Sequence, residues 1–374
     1  MNFSNLDTLL EDMPARGIPA CELAVSKDGE VVFHKCVGYS DSANTTPATK
    51  DDIFWIFSAT KVITCIAAMR LVESGVISLD DPVSKYIPEY AHMMIKRSDG
   101  SLTPAQNTMT ILHLFTMTGG MTYDFKSPNI INAEDKSTLG IVRAMAKDPL
   151  IFEPGTHYRY SLCHDVLAAI VEVVSGMRYS EYLEKNIFKP LGIKDMGFRP
   201  NEEQKARFTA MYSYRSGLGK AVETAVNNPY RLSDDYDSGG AGLFATVSEY
   251  IKIISVIACG GTTPDGYVLL RPESIAMMQK NMLCDDALDN FVTTRLFGYG
   301  WGLCGRVHCD PVRSFSLSPI GEFGWDGAAG AFVMIDPKNR IALYYGQHVK
   351  GCQFVYHTMH YRFRDCVYQA LEEK

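Results

Sequence analysis

The spacing of hydrophobic positions changes along this chain, and the changes mark its elements. Phe3, Leu6, Leu9, Leu10 and Met13 recur at helical spacing. Two extended runs follow, Ile18 to Ser26 and Glu30 to Cys36, joined by Lys27-Asp28-Gly29, where Asp and Gly tolerate the positive φ of a tight hairpin turn. An aromatic and apolar run from Ile53 to Phe57 leads into Ser58. After it Val62, Ile63, Ile66, Ala67, Met69 and Leu71 keep helical period until Gly75 can end the helix.

From Leu79-Asp80-Asp81-Pro82 to about Asn228 the pattern is helical segments broken by Pro-bearing loops, without convincing strand pairs. Within it Pro154-Gly155 and the polar run Thr156 to Tyr160 precede a periodic helix, Val166 to Val174, that stops at Gly176. The turn-rich Gly239-Gly240-Ala241-Gly242 then introduces a helix through Tyr250 to Ile257. Ala331 to Asp336 and Ile341 to Gly346 predict a second hairpin across Pro337-Lys338-Asn339-Arg340. Val355, Met359, Phe363, Val367 and Leu371, four apart, predict a C-terminal helix. The two ends of the chain thus look alike. The pattern reads as α+β: strands with flanking helices at both ends, residues 1–78 and 235–374, separated by a mostly helical insertion over residues 79–234.

Composition narrows the function classes. At 374 residues the chain can bury a sizeable core, and 46% hydrophobic with 21% charged residues is ordinary globular usage, not that of a disordered or fibrous protein. A net charge of −7 with no basic patch argues against nucleic acid. No apolar run approaches the length of a membrane span, and the N-terminal stretch has neither a basic leader nor a long apolar core, which reads as a cytoplasmic protein. The ten cysteines lie singly in apolar contexts and read as reduced, buried thiols. Cys304 and Cys309, with His308 between them, lack a second ligand pair at zinc spacing, so neither metal nor cofactor is expected.

The candidate chemistry lies at Ser58-Ala59-Thr60-Lys61, the one place where a lysine follows a serine by three positions. On a helix such positions share a face, so the Lys61 amine can reach the Ser58 hydroxyl. A serine hydroxyl is a weak nucleophile until a neighbour takes its proton, and a helix N-terminus favours the negative charge that develops on an attacked carbonyl. Alone, the pattern fits an N-cap serine with a solvated lysine at least as well.

The context comes from several collinear segments: FSATKVITCIAAMRLVESGVISLDDPVSKYIPEY, MTILHLFTMTGG, FEPGTHYRYSLCHDVLAAIVEVVSG, NIFKPLGI, SGGAGLFATVSEY and FGWDGAAGAFVMIDP. Together they resemble the serine β-lactamase and penicillin-binding-protein superfamily, in its class C-like branch that includes family VIII carboxylesterases. The resemblance implies Ser58 as the acylated nucleophile, Lys61 as its partner and Tyr160 as the tyrosine of the second motif. It implies an oxyanion hole from the backbone N–H groups of Ser58 and Ala328, and a fold in which residues 1–78 and 235–374 form one antiparallel β-sheet flanked by N- and C-terminal helices, with an inserted all-helical lobe over residues 79–234. The third motif, often Lys-Thr-Gly, falls on Trp325-Asp326-Gly327, so these residues and Leu162 are expected at the substrate.

The departures set the expected specificity. The second motif ends in Leu162 where an asparagine amide is usual, and the third has lost its lysine, while Asp326 adds charge of the sign that repels a carboxylate. Met117 stands where many relatives have histidine, with His113 nearby, and His164, one turn beyond Tyr160, reads as a capping or surface residue. The resemblance therefore implies a serine hydrolase acting on small, largely neutral carboxylic esters. An acyltransferase, a weak β-lactamase or D-amino-acid peptidase, and a non-catalytic binding protein are the alternatives.

Overall fold

The structure is a computed structural model that describes residues 1–292 and 296–372. Helix α1 (Ser4–Glu11) leads into strands β1 (Ala20–Lys27) and β2 (Glu30–Gly38), and helix α2 (Thr60–Glu73) follows Ser58. Helix α3 (Cys163–Ser175) and helix α4 (Val247–Ala258) precede strands β3 (Tyr299–Gly302), β4 (Gly305–His308), β5 (Phe323–Gly324), β6 (Phe332–Asp336) and β7 (Ile341–Gln347). Helix α5 (His360–Glu372) closes the chain. The strands form one antiparallel sheet in the order β3-β4-β5-β6-β7-β1-β2, so the N-terminal hairpin is added to strands from the C-terminal part.

Both predicted hairpins form. Asp28 and Gly29 hold φ of 54° and 92°, the pair of positive values that a two-residue turn between twisted strands demands. In β1, Cys21, Leu23 and Val25 join Leu6, Leu9 and Leu10 of α1 and Phe363 and Val367 of α5 in one core. Ala24 points to the other face, where Tyr344 of β7 stacks on Tyr250 of α4 with ring centroids 4.0 Å apart. This alternation is the period of two that makes a strand two-faced.

Helix α2 is buried all round between Thr60 and Met69, which makes it the central helix of the main core and explains why its apolar residues are not confined to one stripe. Helix α3 begins three residues before the predicted start and ends at Gly176 in the left-handed conformation. The C-terminal helix is preceded by a π-helical turn over Val355–Met359. The segment from 79 to 228 is not free of strands: Met94–Lys96 pairs with Leu102–Pro104, and Met211–Arg215 pairs with Lys220–Thr224 and with Val349–Lys350. These short pairs are half-exposed, so their sequences lack the apolar alternation that would reveal them. No helix among the described residues is long and apolar enough to cross a membrane.

Candidate active site

Ser58 sits in a 3-10 turn, Phe57–Ala59, that runs directly into α2. Phe57 holds a left-handed φ of 47°, a strained conformation for a bulky side chain next to the candidate nucleophile. The approach is clamped. Phe54–Trp55 pairs with Phe244–Ala245, the Ile56 N–H donates to the Leu243 carbonyl, and the Leu243 N–H donates to the Thr60 hydroxyl. The 239–243 loop is thereby laid along the first turn of α2.

Lys61, 2% exposed, donates to Ser58 Oγ at 3.3 Å and to the Gly240 carbonyl at 2.6 Å. Its Nζ lies 4.6 Å from the centre of the Tyr160 ring and 5.4 Å from that of Tyr123. A Cβ built on Gly240 would fall 2.5 Å from Asp165 Oδ2, so only a residue without a side chain lets this loop lie against the buried carboxylate while its carbonyl meets Lys61. Asp165 Oδ1 accepts from Tyr236, from Ser238 and from the Gly240 N–H, which fixes the loop that positions Lys61. Gly240→Ala is accordingly expected to drive the 239–243 loop off the Asp165 carboxylate, moving the Gly240 carbonyl that holds Lys61, and to lower kcat about 10²-fold. Steady-state kinetics with an activated ester, beside a thermal melt to show that the fold persists, checks this.

Tyr160 precedes α3 in a loop tied down by Arg159 N–H to the Met117 carbonyl at 2.9 Å and Leu162 N–H to the Thr122 carbonyl. Met117 accordingly adopts a left-handed φ of 59°. Tyr160 Oη accepts the indole N–H of Trp325 at 3.1 Å, and its ring packs against Tyr123, Trp301 and Trp325. Ser58, Tyr160, Trp325, Asp326, Gly327 and Ala328, with Gln353 and Tyr356, line one open cavity of about 360 Å³. A larger cleft of about 700 Å³, between Trp55, Phe208, Asn228 and Arg231, contains none of the candidate residues.

Of the expected substrate residues, Leu162 sits elsewhere, while Asp326 and Gly327 line the cavity but have further partners. Leu162 does not line this cavity: at 2% exposure it packs with Met93, Met121 and Ile130 on another side of the second motif. Asp326 does border it, but its carboxylate is bound by Arg306 Nη1 at 3.2 Å, with His360 Nδ1 3.7 Å away, so it is not the bare repelling charge expected. Gly327 also has a structural requirement, because a Cβ there would come within 2.3 Å of the Ile56 carbonyl oxygen; the glycine lets the third motif dock against the chain entering Ser58. His164, expected as a cap or surface residue, is buried with Nε2 3.1 Å from Cys65 Sγ. Burial, with the Lys61 charge as a lesser cause, pushes its pKa well below the ordinary range, so it stays neutral.

The sequence reading passed over Tyr123, Tyr230, Gln353 and Tyr356. Tyr123 stacks on Tyr160, and burial raises its phenol well above its ordinary range, while a hydrogen bond with Ser58 opposes that shift. Tyr230 packs against Phe57, Tyr123 and Phe125, extending an aromatic wall behind Ser58. Tyr356 donates to the Gly327 carbonyl at 2.7 Å. Tyrosines are common in this chain, and only the stacking distinguishes these. His308, singled out with Cys304 and Cys309, is engaged by Ser314 and the Pro319 carbonyl.

Known proteins share this arrangement of elements. The chain is 28% identical over 339 residues to Esterase EstB of Burkholderia gladioli, covering 83% of this chain and 81% of the esterase. It is 32% identical over 282 residues to the lovastatin esterase of Penicillium rubens, covering 71% and 69%. Among solved structures, EstCE1, described as a hydrolase with promiscuous acyltransferase activity, superposes with a TM-score of 0.80 at 23% identity over 98% of each chain. The family model described as Beta-lactamase matches residues 6–347, and the chain belongs to that family.

Proposed function

We propose that this protein is a serine hydrolase that cleaves small, largely neutral carboxylic esters through an acyl-enzyme on Ser58. One observation carries the reading: Ser58, bonded to Lys61, shares a cavity with Tyr160, whose oxygen already holds a hydrogen-bond donor. The Ser58 oxygen attacks the ester carbonyl while its proton passes to the Lys61–Tyr160 pair. That pair returns the proton to the leaving alcohol, and water then attacks the acyl-enzyme by the same route in reverse. The oxyanion hole is assigned to the backbone N–H groups of Ser58 and Ala328. Ala328 lies on a tight turn closed by Gly330 N–H to the Gly327 carbonyl at 2.8 Å, which fixes where its own N–H points.

Preference for neutral substrates rests on what lines the cavity. No lysine or arginine is among the described residues that line it: Lys61 is buried behind Ser58, and Arg306 is held by Asp326, Glu322 and the Val333 carbonyl. A substrate carboxylate would lose a charge-assisted contact of about 1.5–3 kcal/mol. The named activities of EstB and the lovastatin esterase agree with an ester substrate.

Trp325 takes the third-motif position of the missing lysine and puts an N–H on the Tyr160 oxygen, where it stabilises negative charge on that oxygen as the proton moves. Trp325→Phe keeps most of the wall and removes the donor. The expected result is a fall in kcat of roughly ten- to a hundredfold with KM little changed; an unchanged kcat would reduce Trp325 to a wall.

The function is tested by intact-mass analysis after brief exposure to a panel of activated aryl esters, which reports acylation and acyl preference together. Added alcohol acceptors then separate hydrolysis from acyl transfer, the reading favoured by the promiscuous activity described for EstCE1. Turnover of a chromogenic cephalosporin rivalling that of a short-chain aryl ester would overturn the ester preference.

A further inference from the structure

A second cluster of reactive side chains lies at the opposite edge of the sheet from β5. In the β1–β2 hairpin Glu22 pairs with Cys36 and Ala24 with His34. Residues opposed across an antiparallel pair share a face, as do residues two apart on a strand, so register alone brings Glu22, His34 and Cys36 together. The small Ala24 leaves the imidazole room to lean diagonally, and His34 Nε2 lies 2.5 Å from Glu22 Oε1. One ligating atom from each of the three falls within 4.8 Å of the others.

The cluster is also incompletely satisfied. Glu22 is 1% exposed, and its second carboxyl oxygen has no hydrogen-bond partner among the described residues. The Tyr344 hydroxyl, buried opposite Ala24 on β7, has none either. A buried carboxyl oxygen left open is costly unless something occupies it. The nearby Asp52 carboxylate is already taken by Ser40 and Thr49, while Lys50 adds a positive charge.

We propose that Glu22, His34 and Cys36 bind one divalent ion of the zinc type, with water as the fourth ligand. A carboxylate, an imidazole and a thiolate form the mixed oxygen, nitrogen and sulfur set that zinc accepts in tetrahedral geometry, whereas calcium and magnesium take oxygen ligands. On binding, Cys36 gives up its thiol proton to solvent, and the thiolate with the Glu22 carboxylate balances the dication. His34 and Cys36 are only partly buried on an edge strand, so the ion has a way in. The site clasps the hairpin and takes no part in the chemistry at Ser58.

The test uses the full chain stripped with a chelator and titrated with Co²⁺, then Zn²⁺. One equivalent of Co²⁺ is expected to give a near-ultraviolet thiolate-to-cobalt charge-transfer band that Zn²⁺ abolishes, with a higher melting temperature in Zn²⁺. Cys36→Ser is expected to lose the band, and Glu22→Gln and His34→Gln to weaken binding about tenfold or more, with ester turnover unchanged in all three. No band in the wild type, or a band that survives Cys36→Ser, overturns the proposal. A second readout needs no variant: Zn²⁺ should protect Cys36, but not the exposed Cys284, from alkylation as read by peptide mass spectrometry. Equal alkylation of Cys36 with and without Zn²⁺ overturns it as well.

Discussion

Ser58→Ala is expected to lower kcat for any ester substrate by ~10⁴–10⁶-fold and to remove the acyl adduct from the intact mass. The size follows from the mechanism: without the hydroxyl there is no acyl-enzyme, and Lys61 and Tyr160 are left with no proton to move. The fold should barely notice. Ser58 Oγ is bonded by Lys61 at 3.3 Å, which also donates to Gly240, and by Tyr123, and neither contact is part of the core packing, so the melting temperature should stay within a few degrees of the wild type. A fluorophosphonate or penicillin probe that still labelled the variant at full stoichiometry would place the nucleophile elsewhere and end the case for Ser58.

Lys61→Met is expected to cost ~10²–10⁴-fold in kcat, the range for losing a positioned acid–base group. It should also cost stability, in contrast to Ser58→Ala. The buried Gly240 carbonyl would lose its charged donor, about 1–3 kcal/mol. Lys61→Arg should not rescue the rate, because a planar guanidinium cannot meet Ser58 Oγ and the Gly240 carbonyl from one point as an ammonium does. Kinetics paired with denaturant unfolding separates the two effects. Wild-type acylation by Lys61→Met would leave Tyr160 as the sole base and refute the paired role assigned to the lysine.

Much of this site was legible because its chemistry is local. Ser58 and Lys61 are one helical turn apart, so a three-residue spacing suffices to make them neighbours. Tyr160 and Trp325 came from the resemblance to a family, since nothing in their own flanking residues says that an indole N–H will meet a phenol oxygen across 165 positions of sequence. The misplaced expectations share a cause. Leu162 and His164 lie at the start of α3, where helical rotation sends Leu162 toward Met121 and His164 toward Cys65, and the direction of each is set by α2 and the 117–123 loop rather than by local sequence. Asp326 was read as a bare charge because Arg306, its partner, is on a different strand.

The proposed ion site is invisible at short spacing: Cys304, His308 and Cys309 are neighbours in sequence, whereas Glu22, His34 and Cys36 are united by cross-strand register.

By itself the amino-acid sequence determined the helices with strong period, both hairpins with their turn residues, the α+β class, and the serine–lysine pair. Each depends on side chains within a turn or two of one another, where backbone geometry alone dictates who meets whom. The tertiary structure alone decided the strand order that joins the two ends in one sheet, the aromatic wall of Tyr123, Tyr160, Tyr230 and Trp325, the Gly240 carbonyl on Lys61, and the Arg306 clamp on Asp326. Those contacts join segments far apart in the chain, and only the packing of the whole core selects them.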